Sequence, residues 1–290
     1  VVERPAPTTH LLARGEPDLK REVVEPGVLS AIGGALESPS PRAAFARWLT
    51  DVDRGAGRLL ARVVVNRVWQ HHFGVGLVAT PDDFGTQGEP PAHPELLDAL
   101  AARLIENRWS LKSLHRLILG SAAYRQARPP RRLDAEALRD ALLAVGGRLD
   151  AAKGGPSVKS RVPKEAILTR SKDAYPADAP ESLRRGLYLF RKRSVPLPFL
   201  EIFDAPAPTA GCGRRDRSTV APQALLLLND PFVRECAKGL AARAGGDPVR
   251  AWRLALGRPP RPAELAAVVS LPFEDLCHAL LLTNEFAYVD

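Results

Sequence analysis

Apolar positions recur at helical spacing along most of this chain. From Pro41 onward, Phe45, Trp48 and Leu49 fall at i, i+3, i+4, the stripe of an amphipathic helix, and Pro41 suits a first helical turn. Between about Arg58 and Phe73, the residues Leu59, Leu60, Val63, Val64, Val65, Val68 and Trp69 fall on every side of a helical wheel, which predicts a buried helix. The same helix carries Arg62, Asn66 and Gln70 at i, i+4, i+8, and Arg67 with His71 at i, i+4. Buried polar groups left unpaired cost about 1–3 kcal/mol each, so these side chains need partners from elsewhere in the fold. The pattern admits a structural hydrogen-bond network or the floor of a binding site, and the network is the favoured reading.

Further on, Pro94–Glu106 places Leu97, Leu100, Leu104 and Ile105 on one face, and Ser110 is an N-cap for a helix over Leu111–Gln126. Their short link predicts an antiparallel hairpin. Another helix runs from Leu133 to Arg148 and ends at Gly146-Gly147. From Asp150 to Arg217 the helical period stops and eight prolines appear. Within that stretch Gly186–Arg193 is the best strand candidate, with Leu187, Leu189 and Arg191 facing one way and Tyr188, Phe190 and Lys192 the other. Helix resumes over Pro222–Ala244, Pro248–Leu256, Pro262–Ser270 and Phe273–Tyr288. Residues 1–40 read as extended chain with turns, with Thr8–Ala13 as a candidate strand. The prediction is a mainly α fold: a multi-helix orthogonal and hairpin array whose Pro-rich basic middle holds at most a few short strands. Its organisation is an extended segment 1–40 followed by one helical domain 41–290, divided into a helical lobe 41–150, an irregular basic segment 151–217 and C-terminal helices 218–290.

Composition alters this picture in three ways. Hydrophobic residues make up 45% and charged residues 26% of the 290, which excludes global disorder, and no apolar run approaches the ~20 residues of a membrane-spanning helix. The chain contains no Met and starts without an apolar signal core, so it reads as a fragment from which a leader or a preceding domain is missing. The formal charge of +8 is carried by 33 Arg and 8 Lys. Residues 151–217 hold 14 basic and seven acidic side chains, a surplus that favours an anionic partner or serves as a solvated surface. Three cysteines, at 212, 236 and 277, form no CxxC or CxxCH pattern, so neither a structural zinc site nor a haem is expected in this chain.

Candidate chemistry is sparse. Thr80-Pro81-Asp82-Asp83 has the order of N-cap, Pro at N1 and acid at N3, a helical-turn device that explains those residues without chemistry. No nucleophile elbow, zinc-protease sequence, P-loop or dinucleotide fingerprint is present, and no metal site is expected. His71, His72, Asp82, Asp83, His93 and Glu95 are the one clustered supply of acids and bases, with His71, Asp82 and Asp83 the catalytic candidates. The binding candidates are Arg184, Arg185, Tyr188, Phe190, Lys192 and Arg193, an aromatic and cationic face suited to an acidic glycan or another protein, with Phe199 and Phe203 nearby. Arg62, Asn66, Arg67 and Gln70 are assigned to a structural polar network.

Several ordered motifs resemble one family. They are Arg62-Val63-Val64-Val65-Asn66-Arg67-Val68-Trp69-Gln70-His71, Thr80-Pro81-Asp82-Asp83-Phe84-Gly85, His93-Pro94-Glu95-Leu96-Leu97, Trp109-Ser110-Leu111-Lys112 and Tyr124-Arg125-Gln126. They continue with Arg132-Leu133-Asp134-Ala135-Glu136, Gly154-Gly155-Pro156-Ser157-Val158 and Ala221-Pro222-Gln223-Ala224-Leu225. Together these resemble the C-terminal (PSD) domain of large planctomycete-type cytochrome-associated proteins, a family of unknown function. The resemblance covers the chain from about residue 40. It implies a bacterial, exported, multidomain parent, an extracytoplasmic location, and upstream domains of that parent as partners; it supplies no catalytic residues. The stretch between the Tyr-Arg-Gln and Arg-Leu-Asp-Ala-Glu motifs is shortened here to Ala127–Arg131, so any site built by that insert in relatives is in doubt. The resulting expectation is an accessory binding or scaffold module, without a cofactor in this chain, that could take an anionic polysaccharide. Nucleic acid fits the charge but not the exported setting. The alternative is a hydrolase acting on surface or environmental polysaccharide.

Overall fold

Ser40 Oγ accepts a hydrogen bond from Ala43 N, and Pro41 occupies the first turn of α1, Pro41–Thr50. The computed structural model describes residues 8–34, 36, 40–126, 130–162, 181–193 and 197–289. They fall into two compact units, Val1–Gln126 and Ala127–Asp290. Among the described residues the fold is mainly α, with 12 α-helices and two small antiparallel strand pairs.

In the first unit, β1 (Thr9–Leu12) pairs with β2 (Lys20–Val24), a partner strand that the apolar pattern did not reveal. Helix α1 turns into α2, Gly57–Phe73, at a close approach that only glycine allows. A Cβ on Gly55 would lie 2.1 Å from Trp48 O. Helix α2 ends at Gly74, whose φ of 87° is the left-handed C-cap conformation, with its N–H donating to Gln70 O. Helices α3 (Pro94–Glu106) and α4 (Leu111–Leu119) complete the unit. Its core gathers Ala61 and Val65 of α2, Leu97, Leu100, Ala101 and Leu104 of α3, and Leu114 and Ile118 of α4. Burial of α2 on all sides is not observed. Gly57, Ala61, Val65 and Asn66 are buried, Val63, Val64, Val68 and Trp69 are half-buried, and Leu59 is exposed. One stripe alone meets α3 and α4, which leaves the rest of the helix in intermediate environments. The helix expected over 111–126 stops at Leu119, where Gly120 follows and Ser121 Oγ donates to the Ile118 carbonyl; a 3₁₀ turn, Ala123–Arg125, comes next.

In the second unit, β3 (Arg131–Arg132) pairs with β4 (Tyr288–Val289) and leads into α5, Ala135–Val145. Helix α5 packs on α8 (Pro231–Ala244), and α8 packs on α11 (Phe273–Leu281). Their apolar stripes form a core around Leu138, Leu142, Leu143, Val233, Leu240 and Leu281. The end of α5 meets α8 at glycines, since a Cβ on Gly239 would lie 2.2 Å from Gly146 O. Around this core lie α6 (Pro198–Ile202), α7 (Ala221–Asn229), α9 (Pro248–Leu256), α10 (Pro262–Val268) and α12 (Asn284–Ala287). Two expected long helices are divided. Pro222–Ala244 breaks into α7 and α8 because Pro231 has no N–H with which to continue the ladder, and Asp230 Oδ1 restarts it by accepting from Phe232 N. Phe273–Tyr288 breaks where Thr283 Oγ1 caps α12.

The strand expected over 186–193 is not formed. Gly186–Tyr188 is a 3₁₀ turn, and extended pairing is confined to isolated bridge residues, among them the parallel bridges Asp150↔Arg184 and Val158↔Leu189 and a bridge position at Lys192. The cause is tertiary: Gly186 N donates to Asp140 Oδ1 at 2.6 Å, and a Cβ at Gly186 would lie 2.8 Å from Glu136 Cβ, so α5 clasps the turn. The expected two-face alternation fails with the strand, since Leu187 is 72% exposed and Leu189 is buried. Residues 163–180 and 194–196 of the basic segment lie outside the described residues.

Candidate functional site

The polar face of α2 resolves into a clamp. Asn66, fully buried, donates from Nδ2 to Val78 O at 3.0 Å and accepts at Oδ1 from Val78 N at 2.8 Å. One side-chain amide thus satisfies both backbone groups of a buried loop residue. Gly76 makes room for it, because a Cβ there would sit 2.7 Å from the Asn66 amide. Arg62 Nε pairs with Asp98 of α3 at 3.0 Å, and Arg67 makes an exposed 3.5 Å contact with Asp82. Gln70 and His71 also have interactions of their own.

The Thr80–Asp83 device is a turn, but it is bonded differently from an N-cap. Thr80 Oγ1 donates to Asp83 O and accepts from Glu89 N, while Asp83 Oδ1 accepts from Gly85 N. His72 leaves the acid–base group altogether: its Nε2 lies 2.7 Å from His115 Nδ1, and its ring meets those of His115 and Tyr124 edge-on. A cleft of about 210 Å³ lies beside the loop, lined by Arg62, Val78, Phe84, Glu89 and neighbouring glycine and proline residues. His71, Asp82 and Asp83 do not line it. Among the described residues no three His, Cys, Asp or Glu side chains come together as a metal site.

The second unit gathers the charge. Arg139 of α5, 3% exposed, donates to Glu181 Oε1 at 2.6 Å, to Arg184 O at 3.1 Å and to Ser182 O, and it stacks on Phe232. Ser160 Oγ donates to the same Glu181 oxygen and accepts from Ser182 N. Arg184 lies 4.1 Å over the Tyr188 ring and donates to the carbonyls of Ala152, Gly154 and Pro156, while Tyr188 OH accepts from Gly154 N. Arg184 and Tyr188 therefore brace the Gly154-Gly155 loop from inside the segment.

A second arginine closes another loop. Arg132, 7% exposed, donates to Asp204 Oδ2 and Ser218 O, each at 2.5 Å, and to Phe203 O at 3.3 Å. Ser218 returns two bonds of 2.8 Å to the Asp204 carboxylate, and Gln223 Nε2 reaches Ser218 Oγ and Ile202 O. Asp204 adopts a positive φ of 61°, a strained conformation that the surrounding bonds hold in place. Residues 204–218 thus form a loop with adjacent ends, tied also by Arg215 to Glu136 at 2.5 Å. Burial is the largest single influence and would raise the Asp204 and Glu136 carboxyls, but the opposing influences together hold both below the ordinary range. At Asp204 these are the hydrogen bonds and charge of Arg132 with two bonds from Ser218; at Glu136 they are those of Arg215 with a backbone bond and the Arg191 charge. Burial does raise Asp140 and Asp230. It also pushes the thiols of Cys236 and Cys277 up to about 12 and about 11, which makes them inert packing groups.

The Arg132, Arg139 and Asp204 clamps were not singled out from sequence as site residues. Arg132 and Glu136 stood in the Arg-Leu-Asp-Ala-Glu motif and Gln223 in the Ala-Pro-Gln motif, and those motif memberships were the available signal. Of the binding candidates, Arg185 contacts Asp140 at 3.7 Å, Phe190 lies under Lys159 Nζ at 5.9 Å, Lys192 is half-buried with an interaction of its own, and Arg193 is exposed. Among the described residues no helix is long and apolar enough to cross a membrane.

The family profile PSD1, described as a protein of unknown function (DUF1553), matches residues 41–129 and 127–271. No curated protein and no solved structure matches the chain. The motifs that form the Asn66 clamp and the Arg132 clamp both fall inside the matched span, and the chain belongs to the PSD1 family.

Proposed function

We propose that this chain is a non-catalytic accessory module that presents the basic 184–193 segment to an anionic partner, within a larger exported, cytochrome-associated bacterial protein. The exported and multidomain setting comes from the family resemblance. The observation that carries the binding role is the division of labour among the cations. Arg132, Arg139 and Arg184 are used internally to brace irregular backbone. Arg193, and Arg185 despite its 3.7 Å contact with Asp140, stay exposed on the braced segment, as do Lys159 and Arg161 on the stretch that bridges to it at Val158↔Leu189. A cationic patch held in a fixed shape loses little freedom on binding, which favours affinity.

Polysaccharide hydrolysis has less support. Asp82 faces Arg67 in solvent, Asp83 is committed to a turn, and His72 is paired with His115. The test is retention of the chain on dextran sulfate and on polygalacturonate at low and high salt, with an Arg185→Glu/Arg193→Glu variant alongside. The module reading expects salt-sensitive retention that the variant loses. Absence of binding to either polymer and to any domain of the parent protein would overturn it. Polysaccharide cleavage abolished by His71→Ala, Asp82→Ala or Asp83→Ala would install the hydrolase reading instead.

A further inference from the structure

The 3₁₀ turn at Gly186–Tyr188 changes what the basic segment offers to a partner. A strand would have shown a flat row of aromatics and cations. The turn instead draws Tyr188 inward, where its OH accepts from Gly154 N and its ring carries Arg184. It leaves Leu187 72% exposed at the crest, with Leu183 and Phe190 each 36% exposed on either side. Exposed cations surround this apolar crest in sequence and by pairing: Arg185 and Arg193 on the segment itself, and Lys159 and Arg161 on the strand-like stretch that bridges to it at Val158↔Leu189.

A sugar polymer has chemistry for the cations and for the Phe190 ring, but none for a branched aliphatic side chain standing in water. An exposed aliphatic side chain on a segment rich in exposed cations is complementary to a surface that is anionic outside and apolar just beneath. We propose that the partner of this segment is an anionic lipid surface, with Leu187 entering the acyl boundary and Arg185, Arg193, Lys159 and Arg161 contacting headgroups. This rests on the reading of the segment as an anion-binding patch and adds the identity of the anion's carrier.

The fold supports such a role mechanically. Gly186 is pinned to Asp140, Arg139 holds Ser182 and Arg184 by their carbonyls, and Arg184 is locked over Tyr188. The crest is therefore held out rather than free to collapse onto the protein.

The experiment is co-sedimentation of the whole chain with vesicles of equal parts phosphatidylglycerol and phosphatidylcholine, against vesicles of phosphatidylcholine alone, with dextran sulfate retention measured in parallel. Binding to the anionic vesicles alone is expected. Leu187→Asp should weaken it about tenfold or more, because the lost term is the transfer of a whole leucine side chain, while leaving dextran sulfate retention intact; Leu225→Asp on α7 should change neither. Leu187→Trp should show a blue-shifted emission with anionic vesicles and no shift with dextran sulfate. If the polymer is retained but vesicles are not bound, or if vesicles bind without the Trp shift, the lipid proposal fails and the anion-binding module survives. If neither polymer nor vesicle is bound, both fail.

Discussion

The two units hold their irregular segments by different means. In the first, a neutral amide does the work: Asn66 satisfies the N–H and the C=O of Val78 and so fixes the loop that follows α2. In the second, arginines do it, with Arg132 closing the 204–218 loop against Asp204 and Arg139 seizing the 181–184 stretch through Glu181 and two carbonyls. An amide pair carries no charge into the interior and does not titrate. A buried guanidinium brings a desolvation cost that is met only while its carboxylate stays ionised and in place. A long arginine also reaches several acceptors in separate parts of the chain at once, which an asparagine cannot do. The difference suits the contents: one short loop in the first unit, a long proline-rich stretch in the second.

The largest expected effect tests the charged clamp. Arg132→Ala leaves the Asp204 carboxylate without its counter-charge and the Ser218 and Phe203 carbonyls without the guanidinium donor, and should cost about 3–5 kcal/mol in urea unfolding. Adding Asp204→Ala should restore part of that loss, since the stranded charge goes with it. A double variant no more stable than Arg132→Ala would show that the arginine acts by packing rather than by pairing.

Next comes the neutral clamp. Asn66→Ala strands one buried donor and one buried acceptor and should cost about 1–3 kcal/mol, with faster hydrogen exchange at the Val78 amide. Unchanged exchange at Val78 would mean that the loop is held by its apolar contacts alone.

The comparison sharpens with pH. Asp204 and Glu136 titrate below their ordinary values in the folded chain. The stability they contribute is therefore complete above the unfolded carboxyl range of about 4 and is lost as pH falls through the lowered native values. Asp140 and Asp230 are raised and act in the opposite sense, relieving a cost as they protonate. Asp204→Asn should lower stability near neutrality and flatten its decline in acid. An acid limb identical to that of the unsubstituted chain would remove Asp204 from the account. The Asn66 clamp should show no such limb.

The smallest effect belongs to the exposed pair of Arg67 and Asp82. At 3.5 Å, with both side chains more than half exposed, Arg67→Ala should change stability by less than about 1 kcal/mol and lose even that in high salt. A larger, salt-independent loss would mean that the polar face of α2 carries more than the Asn66 clamp.

Much of this was legible in the residues. Apolar spacing located α1 to α3, α5 and α9 within a few positions, because one stripe per helix had to meet a core and start signals such as Pro41 and the Ser110 cap mark where helical backbone begins. The need of Asn66 for a partner also followed from its place on an apolar helix; the identity of that partner, Val78, did not. The breaks at Asp230-Pro231 and Leu282-Thr283 were hidden because apolar period continues across them, although Pro231 itself was the local sign.

What the sequence alone determined, then, was helix period, element ends at Pro and Gly, the family, and the size of the positive surplus. Where each charge goes was decided only by tertiary structure. Arg132, Arg139 and Arg184 look like Arg185 and Arg193 in composition, and only contact with Asp204, Glu181 and the Tyr188 ring separates the internal braces from the exposed patch. The same holds for Gly186–Tyr188: its residues favour a strand, yet the clasp of α5 through Asp140 and Glu136 bends it into a turn and raises Leu187 into solvent. Local preference over so short a stretch is weak, and a few specific long-range bonds outweigh it.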